Sequence, residues 1–267
     1  MAYRAGCAAG DNKKMLELNR IYNMDCLDGM RLLEDKSIDL VITDPPYGHN
    51  NNNGDLISRW EAALGRGDYI AERDNRPILN DGKEANDLLR ACLPEFRRLL
   101  KPGGNLCCCC GGGGGPDPQF ARWSLWIDEI IPFKMCVIWD KGGLGMGWHY
   151  RRNWECVLVA TKPGAACKWY GGNDVPNIIS DIPKIIPPAE QHPTIKPVKL
   201  MEHFIKLHTK ENDIVLDPFI GSGTTAEACI RTGRQFIGFE LDKGFFDSAQ
   251  IRIKKAQEQG KIGAWFE

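Results

Sequence analysis

The sequence predicts an α/β protein built on a Rossmann-like, largely parallel and doubly wound sheet. Three observations carry this expectation. Short apolar runs of strand character alternate with helical stretches along the chain. Two of those runs end in an aspartate followed directly by proline, at Asp44-Pro45 and Asp217-Pro218. A length of 267 residues is enough to bury a full core as one α/β domain with an insertion, so residues 1–267 are read as a single domain.

The elements follow in chain order. A strand is expected around Arg20-Ile21-Tyr22, a helix over residues 29–33 and a buried strand over residues 38–43, which together make a βαβ beginning. Residues 48–83 carry asparagines, scattered glycines and charges with little apolar periodicity, and read as a long mobile loop beside a site. Leu88, Leu89, Cys92, Leu93, Phe96, Leu99 and Leu100 fall at helical spacing, and Lys101-Pro102-Gly103-Gly104 stops that helix. A strand over 106–110, a helix over 118–130 and strands over 134–140 and 155–160 come next, the last two separated by a glycine-rich, aromatic connection. Residues 162–191, rich in Pro, Gly and Asn, read as a small insertion. The chain then gives a helix over 198–208, a strand over 213–216, a helix over 224–232, a strand over 235–239 and a charged helix over 243–259.

A formal net charge of −1 supplies no global attraction to nucleic acid, so any such binding needs a local basic patch. No apolar run approaches the roughly 18 residues of a membrane span, and Met1-Ala2-Tyr3-Arg4 lacks a signal peptide's apolar core; a cytoplasmic protein without a membrane partner is expected. There its 11 cysteines would stay reduced. Cys107 to Cys110 are contiguous, and neighbours on a strand point to opposite faces, so they cannot converge on one tetrahedral metal. They read as small buried side chains, and no metal site is expected.

The run Asp217-Pro218-Phe219-Ile220-Gly221-Ser222-Gly223-Thr224-Thr225 brings backbone close to a ligand at a helix N-terminus, whose N–H groups favour a carboxylate. By itself this could be a tight strand-to-helix turn. Glu240 ends the next strand, at the offset where a Rossmann-type site places the acid that grips ribose hydroxyls, and the two together favour an adenosine-containing cofactor. No Lys follows the second glycine, which argues against a phosphate-binding P-loop.

Asp44-Pro45-Pro46-Tyr47 offers different chemistry. An exocyclic amino group on a nucleobase is a poor nucleophile because its lone pair is delocalised into the ring, so catalysis needs acceptors for its N–H bonds. Asp44 and the Pro45 carbonyl can supply them, and proline at 45 and 46 fixes the backbone without adding competing donors. Tyr47 offers a face on which an extruded base can stack, worth about 1–3 kcal/mol. The plainer alternative is a turn with Tyr47 in the core.

Taken in this order, the two segments resemble those of the amino-group DNA methyltransferases of the β arrangement, in which the catalytic segment precedes the cofactor segment. His192-Pro193-Thr194-Ile195-Lys196-Pro197-Val198 and Asn23-Met24-Asp25-Cys26-Leu27 are similar to two further family segments, and residues 145–152 look most like phage-type adenine methylases. The resemblance implies S-adenosylmethionine as cofactor, transfer of its methyl to adenine N6 and extrusion of that base from double-stranded DNA. It implies that Asp44, Pro45, Pro46 and Tyr47 are catalytic. Asp25, Cys26, His192, Thr194, Lys196, Asp217, Phe219, Gly221, Ser222, Gly223, Thr224 and Glu240 would hold the cofactor. Trp148, His149, Tyr150, Arg151 and Arg152 would meet DNA, or else form a solvated basic pair beside core aromatics. Residues 162–191 stand where the family keeps its target-recognition region. The resemblance leaves room for a homodimer, for a cognate restriction nuclease as partner and for a bacterial or phage-infected host cell. Asp at position 44 favours adenine over N4 of cytosine, where family members more often carry Ser. The cytosine reaction and a non-catalytic DNA-binding module remain the alternatives.

Overall fold

The computed structural model describes residues 16–48, 78–82, 84–111, 119–143, 150–185 and 195–263. Chain order runs β1 (Arg20–Asn23), α1 (Cys26–Arg31), β2 (Ile38–Thr43), α2 (Glu84–Leu99), β3 (Leu100–Gly111), α3 (Gln119–Ile130) and β4 (Phe133–Asp140). It continues with β5 (Trp154–Thr161), β6 (Ile178–Ile179), α4 (Val198–His208), β7 (Ile214–Asp217), α5 (Thr224–Arg231), β8 (Gln235–Glu240) and α6 (Lys243–Gly263). The strands form one eight-stranded sheet in the order β1-β8-β7-β2-β3-β5-β4-β6. All neighbours are parallel except at β5, which runs antiparallel to both β3 and β4.

This topology places the site. From β7 the chain passes through α5 to β8 on one side, and from β2 through α2 to β3 on the other. Yet β7 and β2 are themselves paired, Val41 opposite Leu216. Strand order therefore reverses between them, and a crevice opens outside their carboxyl ends, where Asp44 and Asp217 sit.

Two apolar layers cover the sheet. Cys26, Met30, Leu93, Phe96, Trp123 and Ile127 from α1, α2 and α3 pack on one face. Leu200, Phe204, Ala228, Cys229 and Ile253 from α4, α5 and α6 pack on the other. The cysteine run divides as a pleated strand requires, with Cys108 and Cys110 in the first layer and Cys107 and Cys109 in the second. Burial pushes the thiols of Cys107 to Cys109 up, as expected for buried side chains.

Three local expectations shift. Helix α1 starts before residue 29, because Asp25 Oδ1 accepts from the N–H groups of Leu27 (2.8 Å) and Asp28 (3.2 Å) and caps it. The Lys101-Pro102-Gly103-Gly104 stretch does end α2 but already belongs to β3, entering through a bulge where Ile38 faces Leu100 and Leu40 faces Asn105. Gly103 has φ +76°, and a Cβ there would meet the Ala166 carbonyl at 2.1 Å. That close approach reflects the third shift. The first part of the expected insertion, residues 162–172, folds under the amino-terminal edge of β2 and β3. Gly103 donates to Lys162 O and accepts from Lys168 N (2.9 Å each), Asn105 Nδ2 donates to Lys168 O (2.8 Å), and the Lys168 ammonium contacts buried Asp39. Only the later part climbs beside β4, where Ile178 and Ile179 pair with Ile138 and Trp139. Of the expected loop over 48–83, residues 49–77 and 83 lie outside the described residues; its two ends meet where Gly48 N donates to Asp81 Oδ1 (2.7 Å). Among the described residues, no helix is long and apolar enough to cross a membrane.

Candidate active site

A cavity of about 520 Å³ occupies the crevice and joins the two aspartate-proline segments. Asp25 and Cys26 after β1, Glu240 at the end of β8, and Asp217, Phe219, Gly221, Ser222 and Thr224 after β7 line one end. Asp44, Pro45, Pro46, Tyr47 and Lys196 line the other.

At the first end the strand tips are tied together by carboxylates. Glu240 accepts from Gly221 N through Oε2 (2.9 Å) and from Asp242 N through Oε1 (2.8 Å), so β8 fixes the turn that follows β7. Burial raises its pKa against those bonds. Asp217 accepts from Thr225 Oγ1 (2.6 Å) and Phe219 N (3.1 Å); burial, assisted by the Asp44 charge, outweighs these bonds and pushes it up to about 7. Gly223, at φ +81°, caps α5 from behind the wall, with Ala249 Cβ 3.0 Å from where a Cβ would stand. Met24, Leu241 and Phe245 add apolar wall beside Asp25.

At the second end Asp44 is engaged on both oxygens. Tyr47 OH donates to Oδ1 at 2.5 Å, and Lys196 Nζ donates to Oδ2 at 2.6 Å. Tyr47 is half-buried, edge-on to Trp123, with Lys196 Nζ 5.3 Å from its ring centre. Lys196 thus stands with the Asp-Pro-Pro-Tyr segment rather than with the turn after β7. Its burial would lower its pKa, but the charges of Asp44 and Glu155 outweigh that and hold the ammonium up.

Glu155 and Lys141 escaped sequence reasoning. Glu155 is the second residue of β5 and Lys141 follows β4; their ion pair is 3.0 Å, and Glu155 Oε2 lies 3.3 Å from Lys196 Nζ. Burial disfavours the Glu155 carboxylate, yet the two lysines bring its pKa down to about 2. A glutamate at the tip of an otherwise apolar strand was the available signal. Arg152 and Trp154 reach the cavity wall, while Tyr150 is 93% exposed. Arg151 is also exposed. Trp148, His149, His192 and Thr194 lie outside the described residues.

A doubly wound sheet with a switch-point crevice between an acid-tipped glycine-rich turn and a rigid Asp-Pro-Pro-Tyr segment is the architecture of a Rossmann-like group-transfer protein. The DNA methylase family model matches residues 38–251, and the chain belongs to that family. Among curated relatives, the Type II methyltransferase M2.LlaDCHI of Lactococcus lactis subsp. cremoris is 27% identical over 258 residues, covering 87% of this chain and 89% of that protein. The DNA adenine methyltransferase YhdJ of Escherichia coli (strain K12) is 26% identical over 272 residues, covering 90% and 84%. The crystal structure of the M1.HpyAVI-SAM complex superposes with a TM-score of 0.61 at 26% identity, covering 88% of this chain and 98% of that one.

Proposed function

We propose that the chain is an S-adenosylmethionine-dependent DNA methyltransferase that methylates N6 of adenine in a base extruded from double-stranded DNA. The observation that carries the reading is the single cavity joining Asp44 to Glu240, because one pocket can then hold donor and acceptor in contact. The adenine specificity named for YhdJ and the SAM complex of M1.HpyAVI support it.

The residues fit such a cofactor. Glu240 retains free lone pairs on both oxygens for a ribose diol. Asp25, beside Met24, Leu241 and Phe245, suits an adenine edge between apolar walls. Backbone N–H groups entering α5 suit a carboxylate. When bound, S-adenosylmethionine supplies an electrophilic methyl group. Asp44 and the Pro45 carbonyl accept from the target amino group, turning its lone pair toward the methyl. Asp44, which also accepts from Lys196 Nζ, takes up the proton that the nitrogen must lose. Tyr47 carries the extruded ring.

Further parts of the proposal rest on chemistry near the mouth. Arg152 lines the cavity and the neighbouring Tyr150 and Arg151 are exposed; all three suit phosphate and base contact, in keeping with the phage-type likeness. Target recognition falls to residues 173–185 and the loop ends at Gly48 and Asp81 rather than to residues 162–172, which lie at the opposite edge. Cytoplasmic action, self-association and pairing with a restriction nuclease complete it, the last from the Type II name of M2.LlaDCHI. Sequencing that maps modified bases in DNA from an expressing host tests the reading. Methylated adenine at a defined site supports it; methylated cytosine, or unmodified DNA, refutes it.

A further inference from the structure

The ammonium of Lys196 occupies Asp44, one of the two acceptors proposed for the target amino group, and lies beside Tyr47, on which the base is proposed to stack. It donates to Asp44 Oδ2 at 2.6 Å and lies 5.3 Å from the Tyr47 ring centre. It is buried, at 8% exposure, and its third short contact is the Tyr47 hydroxyl at 3.3 Å. With Tyr47 OH on Oδ1, both Asp44 oxygens already have protein donors. A base amino group approaching Oδ2 meets the ammonium already bound to that oxygen and competes with it.

A second seat exists. Glu155 Oε1 is held by Lys141 at 3.0 Å, while Oε2 is buried and, among the described residues, accepts no hydrogen bond. Lys196 Nζ lies 3.3 Å from that oxygen, close enough for charge attraction but without hydrogen-bond geometry. A buried carboxylate oxygen left without a donor is costly, so it is poised to receive one. Four rotatable bonds in the lysine stem permit the short move without backbone change. Glu155 is fixed from the sheet side, since Trp139 on β4 pairs with it in the ladder and Lys141 lies two residues further on.

We propose that Lys196 is a switch in the target pocket, seated on Asp44 while no base is present and transferred to Glu155 Oε2 when an adenine amino group enters. Glu155 is then a positioning residue for the reaction, acting through Lys196. This rests on the proposed function, in which Asp44 and Tyr47 hold the base. The base-free seat fills the Asp44 site with a donor. The second seat retains the ammonium's charge near Asp44 during transfer while freeing the lone pairs the base needs.

Steady-state methylation of unmethylated genomic DNA with labelled S-adenosylmethionine tests the switch, alongside cofactor affinity by calorimetry. Apparent affinity falls with the fraction of protein in the binding-competent state, so Glu155→Gln, which removes the charged second seat, is expected to raise KM for DNA about tenfold. Cofactor Kd should stay within about twofold, since Glu155 acts on the base side of the cavity. Lys196→Met should leave KM at or below wild type. Adding it to Glu155→Gln should return KM to the Lys196→Met value, because Glu155 then has no ammonium to receive. A KM that rises in Lys196→Met, one unchanged in folded Glu155→Gln, or two changes that simply add would overturn the proposal. If Glu155→Gln does not fold, Glu155→Asp with and without Lys196→Met reads the same coupling. Wild-type protein that methylates no DNA sinks the functional reading itself; active wild type with additive variants sinks only the switch.

Discussion

Replacing Glu240 by Gln separates the two tasks assigned to that carboxylate. In the wild type its oxygens each accept a backbone N–H, from Gly221 at 2.9 Å and Asp242 at 2.8 Å. Glutamine has one oxygen and one NH2 group, so one backbone donor would face another donor. A hydrogen bond to a charged group is worth about 1.5–3 kcal/mol. For a chain of this size that corresponds to a melting point lower by roughly 3–12 °C. The charged acceptor for a ribose diol is lost as well, and the same energy range weakens S-adenosylmethionine binding roughly 10- to 100-fold. Titration calorimetry and scanning calorimetry on one preparation read both. Because burial raises the Glu240 pKa, wild-type affinity should also decline on acidification, beginning above the usual carboxylate range. A folded variant binding the cofactor within about threefold of wild type would refute the assignment of Glu240 to the ribose.

Two further expectations concern buried carboxylates. Folded Asp217 holds its proton up to about pH 7, whereas the unfolded chain releases it near pH 4, so between these values this group's contribution to stability falls as pH rises. Asp217→Asn carries no such proton, and its melting point relative to wild type should climb from pH 5 to pH 8; a flat difference would contradict the burial argument. Asp39, 1% exposed, accepts from Lys101 (2.7 Å), Lys168 and Ile214 N (3.0 Å), and Asp39→Ala strands both ammonium groups. Because those lysines are partly solvated, the cost should sit at the low end for a broken buried pair, about 3 kcal/mol or roughly 6–12 °C in thermal denaturation. Cofactor affinity should be unchanged, and a loss of binding would mean that the two edges of the sheet are coupled.

How much of this was legible in the sequence depended on how local each feature is. Asp44 and Asp217 were readable because an apolar run, its terminal acid and a following proline occupy a few consecutive positions, and parallel strands bring such tips to one edge. Helix α4 was bounded correctly at Val198–His208 by periodicity alone. The Asp25 cap on α1 lay unrecognised in a segment read only for its cofactor role. The Lys141, Glu155 and Lys196 grouping was illegible because it assembles from the end of β4, the start of β5 and the approach to α4, a convergence set by strand pairing. The path of residues 162–172 was illegible for a related reason. Their loop composition is compatible with a surface reader, but the Asn105 and Asp39 side chains that bind them under the sheet are more than 50 positions upstream.

The central claim is that Asp44 activates an adenine amino group beside a bound methyl donor. Purified wild type and Asp44→Ala should be incubated with unmethylated genomic DNA and labelled S-adenosylmethionine, and the digested DNA resolved into nucleosides. The expected result is label in N6-methyldeoxyadenosine with wild type and none with Asp44→Ala, although that variant still binds the cofactor. Label in N4-methyldeoxycytidine, or undiminished transfer by Asp44→Ala, would contradict it.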